Sequence, residues 1–293
     1  MRLNEDSWAS TLFLFPLIIV FAVFFAYPLL DLIFLSFTSQ AGSFTIAQWG
    51  YLLHDPFLIP ILWNTLYYFL GSVLAQYGFG FIVAILLYNY TGKLKGFFNI
   101  AFFVPLMVSP VASSLMWALI FDQHYGPLNY FLQLLGGPAL NWLGSTQLAM
   151  PSLFIVNMWE FSPYAFVLIY AGLQLVPTTL YEAGEIDGMT GFQKFIHITV
   201  PQIKGPLLAA FVLDAISILK GFDLVYVLTS GGPGISTSIL SFYVYQVAFS
   251  FLKQHYAAVL SLLLLIIISA FLVFMFKFTS VEEHLGLKGD DDR

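Results

Sequence analysis

Cysteine is absent from all 293 residues, which excludes disulfides and thiolate metal sites and leaves the compartment open. Charge is nearly as scarce: 9% of the chain, against about a quarter of an ordinary soluble domain. The acidic excess comes partly from Asp290, Asp291 and Asp292 at the tail, and no basic patch offers itself to nucleic acid. There is no Gly-x-x-x-x-Gly-Lys-Ser/Thr loop, so the chain is not expected to bind or hydrolyse ATP. Neither Gly-x-Ser-x-Gly nor His-Glu-x-x-His occurs, and His54, His124, His197, His255 and His284 are scattered without forming a metal cluster. An enzyme is not expected, and no cofactor is assigned to the chain.

What remains is apolar. Hydrophobic residues reach 59% and phenylalanine alone numbers 32, the composition of an integral membrane protein. About 20 apolar residues in a helix cross ~30 Å of hydrocarbon. Charge-free windows at about 11–36, 62–89, 97–121, 148–173, 206–228 and 255–277 predict an all-α fold of six transmembrane helices in a single domain, 1–293. The first window is too long for a signal-peptide core and ends in Tyr27-Pro28-Leu29-Leu30-Asp31, without a small-residue cleavage site, so it is expected to be retained. An even number of spans puts both termini on one side. With the N-terminus inside, Arg2, Lys93, Lys95, Lys194, Lys204, Lys277, Lys288 and Arg293 lie at inner ends and only Lys253 lies outside, which favours an N-in, C-in topology.

That topology makes residues 177–205, between the fourth and fifth windows, cytoplasmic. Tyr181, Ile186, Met189, Phe192, Phe195 and Ile196 recur there among Glu182, Glu185, Asp187 and Lys194, as on amphipathic helices. Pro177 and Thr178 predict a helix start, Gly188 and Gly191 a break, and Pro201 an end, giving two short surface helices over 178–188 and 191–198. By itself this pattern also suits an interfacial anchor. Among the outer loops, residues 122–147 read as a compact cap around Gly126-Pro127-Leu128-Asn129.

Intramembrane carboxylates point to function, since one at a helix centre costs at least ~2.5 kcal/mol. Glu160 and Asp214 lie near the midpoints of their windows. Asn157, Glu160 and Tyr164 share one helical face, as do Asp214, Ser217 and Gly221, and together they describe either a midplane pocket or polar packing between helices. Pro105 and Pro110, with Ser109, Ser113 and Ser114, are expected to line the same path, whereas Lys220 and Asp223 read as a structural ion pair. With acceptors, aromatic side chains and no arginine, the pocket suits a neutral polyhydroxylated ligand better than a phosphate; a cation competes.

Glu182-Ala183-Gly184, then Asp187-Gly188, then Ile198-Thr199-Val200-Pro201 resembles the EAA loop of permease subunits of binding-protein-dependent ABC importers. Gly184 and Met189 stand where alanine is common, and Val200 where leucine is. Gly126-Pro127-Leu128-Asn129, Pro163-Tyr164, Ala171-Gly172-Leu173-Gln174 and Ser230-Gly231-Gly232-Pro233 narrow the resemblance to carbohydrate permeases of the MalF-like and glycerol-phosphate-permease-like kind. It covers about residues 60 to 278.

The resemblance implies a type I ABC importer permease fold in a prokaryotic cytoplasmic membrane. It also implies a coupling role for residues 177–205, with Glu182, Ala183, Gly184, Asp187 and Gly188 facing the ATPase, and sugar contacts at Asn157, Glu160, Phe161, Tyr164, Asp214, Ser217, Ile218 and Gly221. The implied partners are a second related permease, two ATPase subunits that carry the ATP and magnesium, an extracytoplasmic sugar-binding protein and lipid. The competing expectation is a secondary carrier or channel that moves protons or cations through Glu160 and Asp214.

Overall fold

A computed structural model of the chain describes residues 6–279; Arg2, Lys288 and Arg293, which entered the charge count, lie outside them. In chain order the helices are α1 (Asp6–Phe21), α2 (Tyr27–Ser36), α3 (Ala47–His54), α4 (Leu58–Asn89), α5 (Lys95–Phe103), α6 (Pro110–Ile120), α7 (Pro127–Leu134), α8 (Ala149–Leu175), α9 (Thr178–Ile186), α10 (Gly191–Lys194), α11 (Val200–Leu219), α12 (Asp223–Leu228), α13 (Leu240–Tyr245) and α14 (Gln254–Thr279). Among the described residues there is no strand, only an isolated bridge between Thr38 and Phe44. Among the described residues, four helical stretches are long and apolar enough to cross a membrane, Leu14–Ser36, Leu58–Asn89, Ala149–Leu175 and Gln254–Lys277, and the α5–α6 pair counts as a fifth if its two arms form one span.

Prolines decide where these helices depart from the expected windows. A proline lacks the N–H and its ring collides with the carbonyl four residues back. Before Pro28 the chain loosens into a π-turn, Ala22–Ala26, and helix continues on both sides. The same device precedes Pro201: the π-turn Phe195–Thr199 joins α10 directly to α11. The second short helix expected at 191–198 is therefore not a separate surface helix. It is the end of one rod, Gly191–Leu219, and Pro201 sits in that rod's interior.

Two prolines close together have a larger effect. Between α5 and α6, Val104–Met107 is a tight 3-10 turn and Ser109 is pushed to an extended ψ of 138° ahead of Pro110, so the two helices diverge by 101°. The span expected over 97–121 is thus a bent pair. The window 206–228 is likewise divided, because helix stops at Lys220 and restarts at Asp223.

The chain folds as two compact units. In the unit formed by residues 1–58 and 243–267, α2 ends where α14 begins: His255 Nδ1 lies 3.1 Å from the Leu35 carbonyl. The buried Asp55 carboxylate accepts from the Tyr243 hydroxyl at 2.7 Å, the Tyr256 hydroxyl at 2.5 Å and the Phe57 N–H at 2.9 Å, so its charge is fully hydrogen-bonded.

In the other unit, residues 59–242 and 268–293, α4 and α8 pack closely around Ala84, Phe166, Ile169, Leu173 and Ile203. Gly71 and Gly80 make this approach possible. Gly71 faces the ring of Phe154, and a side chain at Gly80 would run into the backbone of Ser162 and Phe166. The expected cap over 122–147 is organised by buried Asn129. Its amide donates to the carbonyls of Gln123 at 3.1 Å and Leu140 at 2.8 Å, and its oxygen accepts from the Leu140 N–H and the Trp142 indole.

Candidate functional site: a cavity and a helical hairpin

The divided helix α11–α12 opens a cavity of about 300 Å³ in the second unit. α8 contributes Asn157 and Phe161, one turn apart; α11 contributes Asp214, Ser217 and Ile218; the break contributes Lys220, Gly221 and Phe222. Tyr68 of α4, Pro110 of α6, and Asp223 and Leu224 of α12 complete the wall. The break leaves room because Gly221 has no side chain: a Cβ there would crowd the Ile218 carbonyl and the Tyr68 ring. The Gly221 carbonyl is held by the Ser241 hydroxyl at 3.0 Å.

Six of the eight residues singled out for the pocket therefore meet at one cavity: Asn157, Phe161, Asp214, Ser217, Ile218 and Gly221. Glu160 does not line it. Its side chain is 1% exposed and accepts from the Ser113 hydroxyl at 2.8 Å, the geometry of interhelical packing. Tyr164 is 52% exposed and stacks on Phe161, away from the cavity wall. Of the proline-rich stretch, Pro110 reaches the cavity, while Ser114 bonds back to the Pro110 carbonyl.

The expected Lys220–Asp223 ion pair is absent. Among the described residues the one salt bridge is Lys194–Glu185. The i, i+3 argument needs continuous helix, and the helix breaks between these two residues, so both turn to the cavity instead. Sequence reasoning also missed Tyr68. The signal was present: Thr65, Tyr68, Ser72 and Gln76 recur on one face of α4, and all four are buried. Gln76 donates to the Asp214 carboxylate at 2.5 Å, which fixes that carboxylate at the cavity edge.

The loop after α8 folds as a hairpin. α9 ends in a Schellman turn: the Gly188 N–H bonds the Glu185 carbonyl at 3.0 Å, the Met189 N–H bonds the Gly184 carbonyl at 2.8 Å, and Gly188 has φ +74°. α10 opens with a reciprocal capping box between Thr190 and Gln193. Lys194 Nζ meets Glu185 Oε1 at 2.8 Å, and the Tyr181 hydroxyl meets that of Thr199 at 2.8 Å. The lysine beside Glu185 holds its carboxyl below the ordinary range.

Gly184 is buried where α9 approaches the rod: a Cβ there would stand 3.0 Å from the Ile198 side chain. It is a contact point and not a soft one. Glu182, Ala183, Asp187 and Gly188 remain exposed, as do the apolar Ile186 and Phe192.

Comparison with known proteins agrees with this architecture. Residues 76–280 match the family described as binding-protein-dependent transport system inner membrane component. A probable ABC transporter permease of Pyrococcus horikoshii is 32% identical over 91% of this chain and 94% of its own length. The lactose transport system permease LacF of Rhizobium radiobacter is 31% identical over 92% and 93%. A chain of the bacterial alginate ABC transporter, solved in complex with an alginate pentasaccharide-bound periplasmic protein, superposes with TM-score 0.85 at 20% identity, covering 95% of this chain and 97% of that one. These matches give no support to the carrier or channel expectation. The chain belongs to the inner-membrane components of binding-protein-dependent transport systems, and it is an ABC transporter permease with the type I importer fold.

Proposed function

We propose that the chain moves a saccharide across a prokaryotic inner membrane, with the cavity between α4, α8, α11 and α12 as its binding site. The carrying observation is the chemistry of the wall. Asn157, Asp214, Ser217, Lys220 and Asp223 offer hydrogen-bond acceptors and donors, while Tyr68, Phe161 and Phe222 offer apolar ring faces. A neutral, polyhydroxylated ring matches that mixture, and no arginine is present to grip a phosphate. The relative named for lactose transport supports a neutral saccharide.

The topology is six spans with both termini inside, α5–α6 and α11–α12 each serving as a broken span. In its support, the end of α2 meets the start of α14, which puts the far ends of the first and last spans on one side. A second related permease completes the membrane part. Two ATPase subunits, which carry ATP and magnesium, receive the exposed face of the hairpin, with Glu182, Ala183, Asp187 and Gly188 in contact and Gly184 behind them. A binding protein delivers the sugar to outer loops that include Gly231, Gly232 and Pro233. Because the rod Gly191–Leu219 runs from the hairpin to the cavity edge at Asp214 and Ile218, movement of the ATPases reaches the cavity wall along a single helix.

The test is ATPase activity of the complex, purified in mild detergent and reconstituted with its binding protein, against sugars, polyols and glycerol phosphates. We expect stimulation by a neutral saccharide and its loss in Glu182→Lys. Stimulation by an anionic ligand alone would overturn the neutral class; a preparation without a co-purifying ATPase would overturn the coupling assignment.

A further inference from the structure

The cavity does not end the polar surface. Behind Tyr68, on the same face of α4, lie Ser72 and Gln76, one and two turns further along, both with 0% exposure. They sit inside a span where almost every neighbour is apolar. Glue between helices should leave such groups paired, as Thr65 is: its hydroxyl donates to the Ile61 carbonyl and accepts from the Leu240 N–H. The next groups on the stripe are not. Gln76 Oε1 and, on α8, Asn157 Oδ1 have no hydrogen-bond partner among the described residues, and the Ser72 hydroxyl faces that of Tyr68 without a close hydrogen bond.

Buried polar atoms without partners in a membrane interior are costly, about 1–3 kcal/mol each. Asn157 lines the cavity, and the stripe on α4 is anchored at both ends by cavity residues, Tyr68 at one and Asp214, through Gln76, at the other.

We propose that Tyr68, Ser72 and Gln76 form the concealed continuation of the cavity, a track that takes up saccharide hydroxyls when α4 and α8 part during the transport cycle. The unmet acceptors, Gln76 Oε1 and Asn157 Oδ1, receive hydroxyl protons from the sugar, while Ser72 both donates and accepts. This rests on the saccharide reading above.

The absence of native cysteine supplies the test. Ser72→Cys is close to isosteric and introduces the chain's one thiol. In the complete transporter reconstituted in liposomes, a small charged methanethiosulfonate reagent is expected to modify Ser72→Cys at least about tenfold faster during ATP turnover with loaded binding protein than at rest. Val259→Cys, fully buried on α14 and away from the α4–α8 contact, should stay unmodified throughout. In parallel, Ser72→Ala is expected to lower sugar uptake about tenfold, the scale for losing a hydrogen bond to a bound hydroxyl. If Ser72→Cys does not assemble, Ser72→Ala decides alone.

Labelling of Ser72→Cys no faster than Val259→Cys in every state, or wild-type uptake by Ser72→Ala, overturns the track while leaving saccharide transport intact. Accelerated labelling in a transporter that takes up no saccharide keeps the track and overturns the saccharide reading.

Discussion

Single residues carry more of this structure than the composition suggests. Asn129 satisfies two loop carbonyls, one backbone N–H and one indole N–H from a single buried amide. Asn129→Leu leaves those groups unpaired, and we expect a loss of about 2–4 kcal/mol, read as a lower unfolding temperature of the purified permease. Glu185 and Lys194 tie the two arms of the hairpin. Glu185→Lys should weaken the stimulation of ATPase activity by loaded binding protein, and the double swap with Lys194→Glu should restore it; failure of the swap to restore would assign the effect to something other than the pair. Because the folded-state carboxyl lies below its ordinary value, the pair's contribution is complete at neutral pH. It disappears only as pH falls through that depressed value. Coupling measured from pH 8 to pH 6 should therefore owe no change to Glu185.

At the scale of elements, prolines and glycines govern how the helices end, bend and touch. A methyl group at Gly80 would meet backbone atoms of α8, which cannot turn aside, so Gly80→Ala is expected to cost about 1–3 kcal/mol even though alanine favours helix. The rod Gly191–Leu219 depends on the π-turn at Phe195–Thr199 staying helical. Two glycines inserted after Phe195 should leave ATPase subunits bound and hydrolysing while uptake falls; unchanged uptake would show that force does not travel along this rod. The long windows, the hairpin's two-helix pattern, its glycine turn and the polar faces of α8 and α11 were legible in the sequence, because each follows from local periodicity or backbone preference. The merging of α10 with α11 was not. Pro201 reads as a stop unless a π-turn precedes it, and the segment that forms the π-turn is also the one that packs Thr199 and Ile198 against Tyr181 and Gly184. Glu160 was misplaced for a similar reason: helical phase gives its face but not whether that face meets a cavity or Ser113.

For the whole molecule, Asp214 joins the cavity to the buried stripe of α4. Asp214→Leu removes an acceptor at the cavity and leaves Gln76 unpaired, and uptake should fall at least about tenfold with assembly of the complex retained; Asp214→Asn, which still accepts from Gln76, should fall less. Uptake equal to wild type in Asp214→Leu would remove this cavity from the path. The sequence by itself determined that the chain enters a membrane as helices, that it lacks a phosphate-binding loop of its own, and that its loop at 177–205 has the spacing of the permease family. Those properties are additive or local: they depend on hydropathy summed along a window and on residues a few positions apart. Tertiary structure alone decided which polar groups meet. Lys220 and Asp223 separate because the helix breaks between them, Glu160 pairs with Ser113, and Tyr68 joins the cavity from a helix that offered no charge to mark it. Each outcome depends on the position of a second helix, fixed by close contacts such as Gly80 against α8 and Gly184 against Ile198.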